Sequence, residues 1–297
     1  MTVSSGQKST IDRSAIPPAP AAMRVAFRTL DRVAPGLAAR WAQRLWFTVP
    51  PPGRASRRPG PPGGERFELD VDGYRIVGQA WGAGPAIYLM HGWGGWATQL
   101  GAFTEPLVGA GYRVVTFDAP SHGSSGPGRW GPRSTNTVEF TAALTAVVAA
   151  HGPAHAIVGH SLGCMAVAVA VRDGLAADRL VFLAPMSHPL NYVSFLGKVL
   201  GFGGRTKARL PAALERRIGQ PISEFDVPAI ASQVATPPLL VVHDQDDPET
   251  RHHDGQDIAD TWPDSELVTT TGLGHRGILR DPGVVELVTT FVGVPAR

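Results

Sequence analysis

Six short apolar runs, at residues 86–90, 113–117, 155–158, 179–183, 238–243 and 266–270, punctuate this chain. Helical stretches separate most of them, at about 97–110, 134–151, 162–174, 252–262 and 282–292. Runs this short and rich in Val, Ile and Leu read as strands buried on both faces. Strand alternating with helix implies crossover connections, so the expected architecture is α/β, a mostly parallel central sheet flanked by helices. Ahead of the first run, residues 66–71 and 74–81 form two further strands joined at Asp72-Gly73, a strong hairpin signal. No internal repeat is present.

One gap breaks the rhythm. Residues 186–236 contain no convincing strand and offer two helices, 190–201 and 206–218. An insertion of that length at the carboxyl edge of a sheet predicts a small helical cap. Its apolar residues Leu190, Tyr192, Phe195, Leu196, Leu200 and Phe202 are equally suited to meet an apolar ligand group or to form the cap's own core.

The first 64 residues have a different character. Residues 1–20 are expected to be disordered, and residues 21–49 to form an amphipathic helical arm, broken near Pro35-Gly36. Residues 50–64 are a Pro/Gly-rich linker. The body, residues 65–297, is then one domain carrying the cap at about 186–236. Charge follows this division. Residues 1–64 hold Lys8 and nine arginines against Asp12 and Asp31, a net +8, which leaves −6 for the rest of a chain that totals +2. The basic character therefore belongs to the arm.

Within the alternating pattern lies Gly159-His160-Ser161-Leu162-Gly163. It stands between an apolar strand and a helix of small residues that begins at Cys164. A serine there sits on a very tight turn, and the glycines remove side chains that would clash. The turn lifts the Ser161 hydroxyl out of the sheet and turns the Leu162 N–H toward the same point. A serine hydroxyl becomes a nucleophile only with a base in reach and an acid to orient that base. The base candidate is His275, in the glycine-flanked Gly272-Leu273-Gly274-His275 after the last strand. His151, His155, His243, His252 and His253 read as structural or solvated. The acid lies among Asp244, Asp246 and Asp247, after the strand before it; one suffices, and the other two are expected to be solvated turn residues. A second oxyanion donor is expected from His91-Gly92-Trp93-Gly94-Gly95, with the Trp93 N–H as donor and His91 as a brace.

Five motifs in this order resemble the α/β-hydrolase fold superfamily, in its serine hydrolase, esterase-like branch: HGWGG, FDAPSHGSS at 117–125, GHSLG, HDQDD and GLGH. Ser121 stands where the family's turn usually has glycine. The resemblance covers about residues 65–292 and implies a Ser-Asp-His triad. The family's spacing from the strand-end histidine lands on Asp247. Asp244 replaces a usual glycine there, which leaves Asp246 as a competitor. A serine at the elbow argues against the dehalogenase and epoxide hydrolase branches, which carry aspartate. The resemblance implies a carboxylesterase-like enzyme that cleaves a small acyl substrate through an acyl-enzyme. A non-catalytic receptor on the same fold, and an acyltransferase or thioesterase, are the alternatives.

The remaining features bound the partners. The chain lacks H-E-x-x-H and C-x-x-C, so no metal or other cofactor is expected. One cysteine, Cys164, excludes an internal disulfide and reads as a small buried hydrophobe. No apolar run has the length of a membrane span, and the first twenty residues lack a signal-peptide core, so the expectation is cytoplasmic. No nucleic-acid motif accompanies the arginines. The arm could make peripheral membrane contact through Trp41, Trp46 and Phe47; packing on the −6 body is favoured.

Overall fold

A computed structural model describes residues 18–51 and 60–293. The disorder expected over 1–20 and the linker over 50–64 therefore lie mostly outside the described residues. Eight strands form one sheet: β1 (Glu65–Val71), β2 (Tyr74–Trp81), β3 (Ala86–Met90), β4 (Arg113–Asp118), β5 (Ala154–His160), β6 (Ala177–Leu183), β7 (Leu239–Asp244) and β8 (Ser265–Thr270). Their order is β1-β2-β4-β3-β5-β6-β7-β8. β2 pairs antiparallel with β1 and β4, and every other pairing is parallel. The β1–β2 turn puts Asp72 at φ 54° and Gly73 at φ 84°, the left-handed pair a tight hairpin needs. After β3 the chain steps to β4 on one side, then returns to β5 on the other. Connections diverge at that reversal, so a crevice opens beyond the carboxyl ends of β3 and β5.

Alternation along the strands divides the core. Tyr88 and Met90 of β3 join one apolar cluster, with residues of α4 (Thr137–His151), α5 (Leu162–Arg172) and α10 (His252–Thr261). Ile87 and Leu89 point to the other face, against α3 (Thr104–Gly109) and the C-terminal helix Pro282–Gly293. All five residues of β3 are buried, which is why it reads as a continuous apolar run. The helix expected at 97–110 is a 3-10 stretch, Ala97–Phe103, running into α3. Pro106 has no N–H to continue a single helix, but it fits the first turn of a new one.

The cap is more broken than two helices. It runs through α6 (Pro189–Leu200), α7 (Gly204–Lys207), α8 (Leu210–Ile218), a 3-10 turn (Ile222–Phe225) and α9 (Val227–Ala231). Proline opens α6, α8 and α9 at the first or second helical position, where its missing N–H costs nothing. On this cap lies the arm, α1 (Ala21–Val33) and α2 (Pro35–Trp46), which turn at Ala34. A third apolar cluster joins Phe27, Ala38, Ala42 and Phe47 of the arm to Val193, Leu200, Phe202, Leu210, Leu214 and Ile222 of the cap. Phe27 stacks on Trp41 at 4.3 Å and meets Phe202 at 5.8 Å. Asp31 accepts the Thr206 N–H at 2.8 Å, and Gln43 donates to the Ala213 carbonyl. Leu200 and Phe202 are therefore core of the arm–cap layer, while Leu190 is among the exposed hydrophobics. Among the described residues no helix is long and apolar enough to cross a membrane.

Candidate active site

Ser161 follows β5 directly and caps α5. Its φ of 53° and ψ of −120° are costly for a residue with a Cβ, on the order of 1–3 kcal/mol. The surroundings enforce it: Ser161 N–H donates to the Leu183 carbonyl at the end of β6, and Cys164 N–H closes back on the Ser161 carbonyl, each at 3.0 Å. A Cβ on Gly163 would lie 2.7 Å from the carbonyl oxygens of Met90 and His91, so only glycine lets α5 approach β3 this closely. Burial pushes the Cys164 thiol up, away from thiolate reactivity.

β7 and β8 bring the acid and the imidazole together. Asp247 Oδ2 accepts from His275 Nδ1 at 2.8 Å and from Thr250 Oγ1 at 2.9 Å. Asp247 Oδ1 accepts the Glu249 and Thr250 N–H groups at 2.8 and 3.0 Å. Burial opposes ionisation of this carboxyl. Hydrogen bonds from the His243 and His275 side chains, the His275 charge and the Glu249 N–H outweigh it and hold the group well below the usual carboxylate range. With Nδ1–H committed to Asp247, the His275 Nε2 lone pair is the one left for chemistry.

Of the neighbouring aspartates, Asp246 is an exposed turn residue, as the sequence led one to expect, whereas Asp244 is not. Asp244 is fully buried, and its Oδ2 accepts Thr270 Oγ1 at 2.7 Å and the Leu273 N–H at 3.0 Å. Asp246 Oδ2 accepts the Gly272 N–H at 3.1 Å. Both anchor the loop that carries His275, because that loop presents unpaired amides to the end of β7. Of the three, Asp247 is the one hydrogen-bonded to the imidazole.

Two buried histidines stiffen the loop around Trp93. His91 Nδ1 donates to the Gly92 carbonyl at 2.7 Å, and its Nε2 accepts the Ala119 N–H at 3.0 Å. His122 repeats the pattern, Nδ1 to the Pro120 carbonyl at 3.0 Å and Nε2 from the Gly94 N–H at 2.9 Å. Each ring needs one bare nitrogen, so both must be neutral. Burial agrees, lowering His91 to about 4 and, with His91 beside it, His122 to about 3. Gly94 N–H is thereby used, while the Trp93 N–H has no hydrogen-bond partner among the described residues. Leu162, at the first position of α5, likewise has no intrahelical partner for its N–H. Ser121 holds φ 64° where the family pattern has glycine, and its Oγ, 3.0 Å from the Ser134 carbonyl, accepts the Gly128 N–H at 3.1 Å.

Ser161, Leu162, Trp93 and His275 line one cavity of about 530 Å³, a size ordinary for small-molecule sites. Its apolar lining comes from Trp46, Phe47, Met165, Met186, Ile218 and Phe225 among others. Of the cap residues singled out in sequence, only Tyr192 lines it.

Three features escaped the sequence reading. His160, inside the GHSLG motif, donates from Nε2 to the His275 carbonyl at 3.0 Å and so ties the elbow to the imidazole's backbone. Burial, then the His275 charge nearby, lowers it to about 3. Its place beside Ser161 was the available signal. Glu249, nearly buried, puts Oε2 3.9 Å from His275 Nε2 and Oε1 3.3 Å from Arg276 Nη2. Its signal was position alone: two residues past Asp247, facing the residue after His275. The third is the arm, whose end reaches the cavity.

This chain belongs to the alpha/beta hydrolase family, whose profile matches residues 87–287. No curated protein matches it. Solved structures share the fold at low identity. The thioesterase domain from the curacin biosynthetic pathway is 18% identical with TM-score 0.59, over 78% of this chain and 100% of that one. Est1E from Butyrivibrio proteoclasticus, solved with ferulic acid bound, is 20% identical with TM-score 0.61, over 76% and 96%. A membrane phospholipase A, described as a novel bacterial virulence factor, is 15% identical with TM-score 0.60, over 89% and 93%.

Proposed function

We infer that this protein is a serine hydrolase that cleaves a carboxylic ester, or a related acyl compound, through an acyl-enzyme intermediate. Ser161 Oγ attacks the acyl carbonyl as His275 Nε2 takes its proton. Asp247 fixes the Nδ1–H tautomer and stabilises the imidazolium that forms. The Trp93 and Leu162 N–H groups receive the tetrahedral oxyanion. His275 returns the proton to the departing alcohol or thiol, then activates a water that attacks the acyl carbon and frees Ser161 as the acid leaves.

One observation carries this reading. The Asp247–His275 hydrogen bond of 2.8 Å opens, through the imidazole, onto the same cavity as a serine held at φ 53°. The largely apolar lining supports an apolar acyl or alcohol group. The test is steady-state hydrolysis of p-nitrophenyl esters of graded length. Wild type should turn over with saturation. Ser161→Ala should keep its thermal unfolding temperature and lose on the order of a thousandfold or more in kcat. Undiminished turnover in the alanine variant would overturn the mechanism.

A further inference from the structure

The arm does more than cover the cap. Beyond α2 the chain is sewn to the segment between β4 and α4: Val49 N–H donates to the Arg133 carbonyl at 2.8 Å, and Thr135 N–H to the Phe47 carbonyl at 3.3 Å. Arg133 Nε returns a bond to the Val49 carbonyl at 3.2 Å. Phe47 is buried, with the Arg217 guanidinium 5.1 Å above its ring. This seam carries the chain across the mouth of the sheet crevice. There Trp46, Phe47, Pro50 and Pro51 line the cavity that holds Ser161 and His275. Trp46 is only half-buried, unlike Phe27 deeper in the arm. Its ring meets Tyr192 of α6 edge-on at 5.6 Å, and Tyr192 lines the same cavity. Pro50 lies against Gly94, where an added Cβ would come within 2.7 Å of its Cγ. The end of the arm thus touches both the cap wall and the loop that follows Trp93.

We propose that the N-terminal arm is the selectivity wall of the catalytic cavity, and that Trp46 limits the length of the apolar acyl chain the cavity accepts. The proposal rests on the serine hydrolase reading for the identity of the ligand, not for the placement of the wall. A wall of two aromatic rings and two prolines offers no charge and mostly apolar surface, which suits a hydrocarbon group. Its stiffness comes from the backbone seam at 47–49 and from the arm–cap core behind it. A group too long for the space must displace Trp46 from Tyr192 or stay in water, and either one lowers kcat/KM for that substrate.

The experiment compares wild type with Trp46→Ala, Trp46→Phe and Leu37→Ala, the last on the exposed outer side of the same helix. One readout is the ratio of kcat/KM for p-nitrophenyl dodecanoate to that for the butyrate ester. The second is calorimetric binding of dodecanoate and butyrate to the same variants in a Ser161→Ala background, where no turnover is needed. Trp46→Ala should raise both ratios on the order of tenfold or more, Trp46→Phe should raise them less, and Leu37→Ala should leave them unchanged. If no ester is turned over but the binding ratio still shifts, the hydrolase reading fails and the wall stands. Unchanged ratios in a folded Trp46→Ala or Trp46→Phe protein, or an equal shift in Leu37→Ala, would overturn the proposal.

Discussion

Below the cavity, contacts are made by backbone. Gly163 lies so near β3 that a methyl group would meet two carbonyl oxygens at 2.7 Å, and Ser161 is held at φ 53° by hydrogen bonds on both sides. Above it, contacts are made by side chains. Phe27 stacks on Trp41, Trp46 meets Tyr192, and Leu200, Phe202 and Leu214 fill the space between arm and cap. At Gly163 the floor tolerates no side chain, because a Cβ there would meet backbone carbonyls that every residue has. The roof can be repacked one side chain at a time, because interior packing is sensitive to volume yet tolerant of changes that conserve it. On the function and the wall proposed above, chemistry belongs to the floor and selectivity to the roof.

Asp247→Asn should lower kcat by on the order of ten-thousandfold, through loss of the correct imidazole tautomer. Asp246→Asn should act instead through the Gly272 loop, with a small loss of kcat and a lower unfolding temperature. If the two variants rank the other way, Asp246 is the orienting acid. Next in size is a break in the roof. Phe27→Ala removes a fully buried ring from the arm–cap core and should cost about 3–5 kcal/mol in denaturant unfolding. No loss would mean that the arm is loosely attached and that roof and floor are independent.

Acidification bears on the floor, with a smaller effect. His91, His122 and His160, all in the floor, have folded values lowered to about 4, 3 and 3, below the ~6.5 of a free imidazole. Between those values the unfolded chain binds protons that the folded chain refuses. Their contribution to stability is thus complete above about pH 6.5 and is lost as pH falls toward 4. The depressed Asp247 adds a further loss only below the usual carboxylate range. Thermal unfolding should therefore shift downward between pH 7 and 5. His122→Gln, which keeps a side-chain acceptor for the Gly94 N–H, should flatten the slope. A flat profile in wild type would contradict neutral buried histidines.

Legibility in the sequence follows the same line. Ser161, the loop around Trp93 and the parallel sheet were readable because their signals are local: a strained turn flanked by glycines, and apolar runs of strand length. The strand-end aspartates were readable only as a group. Asp244, Asp246 and Asp247 are chemically alike, and what separates them is which one meets His275, 28 residues onward from Asp247. Solvation was the wrong expectation for Asp244 alone, since neither the buried Thr270 hydroxyl nor the Leu273 amide can be read as an orphan donor from sequence. The arm's periodicity announced an amphipathic pair of helices and nothing about what they cover. Trp46 and Tyr192 are far apart in the chain, and no pattern around either residue tells of the other.

Whether His275 activates Ser161 as a nucleophile is read by fluorophosphonate labelling followed by peptide mass spectrometry. A single adduct is expected on Ser161, absent in Ser161→Ala and slowed severely in a folded His275→Ala. Labelling at another residue, or a wild-type protein that is folded yet inert to the reagent, would contradict that activation.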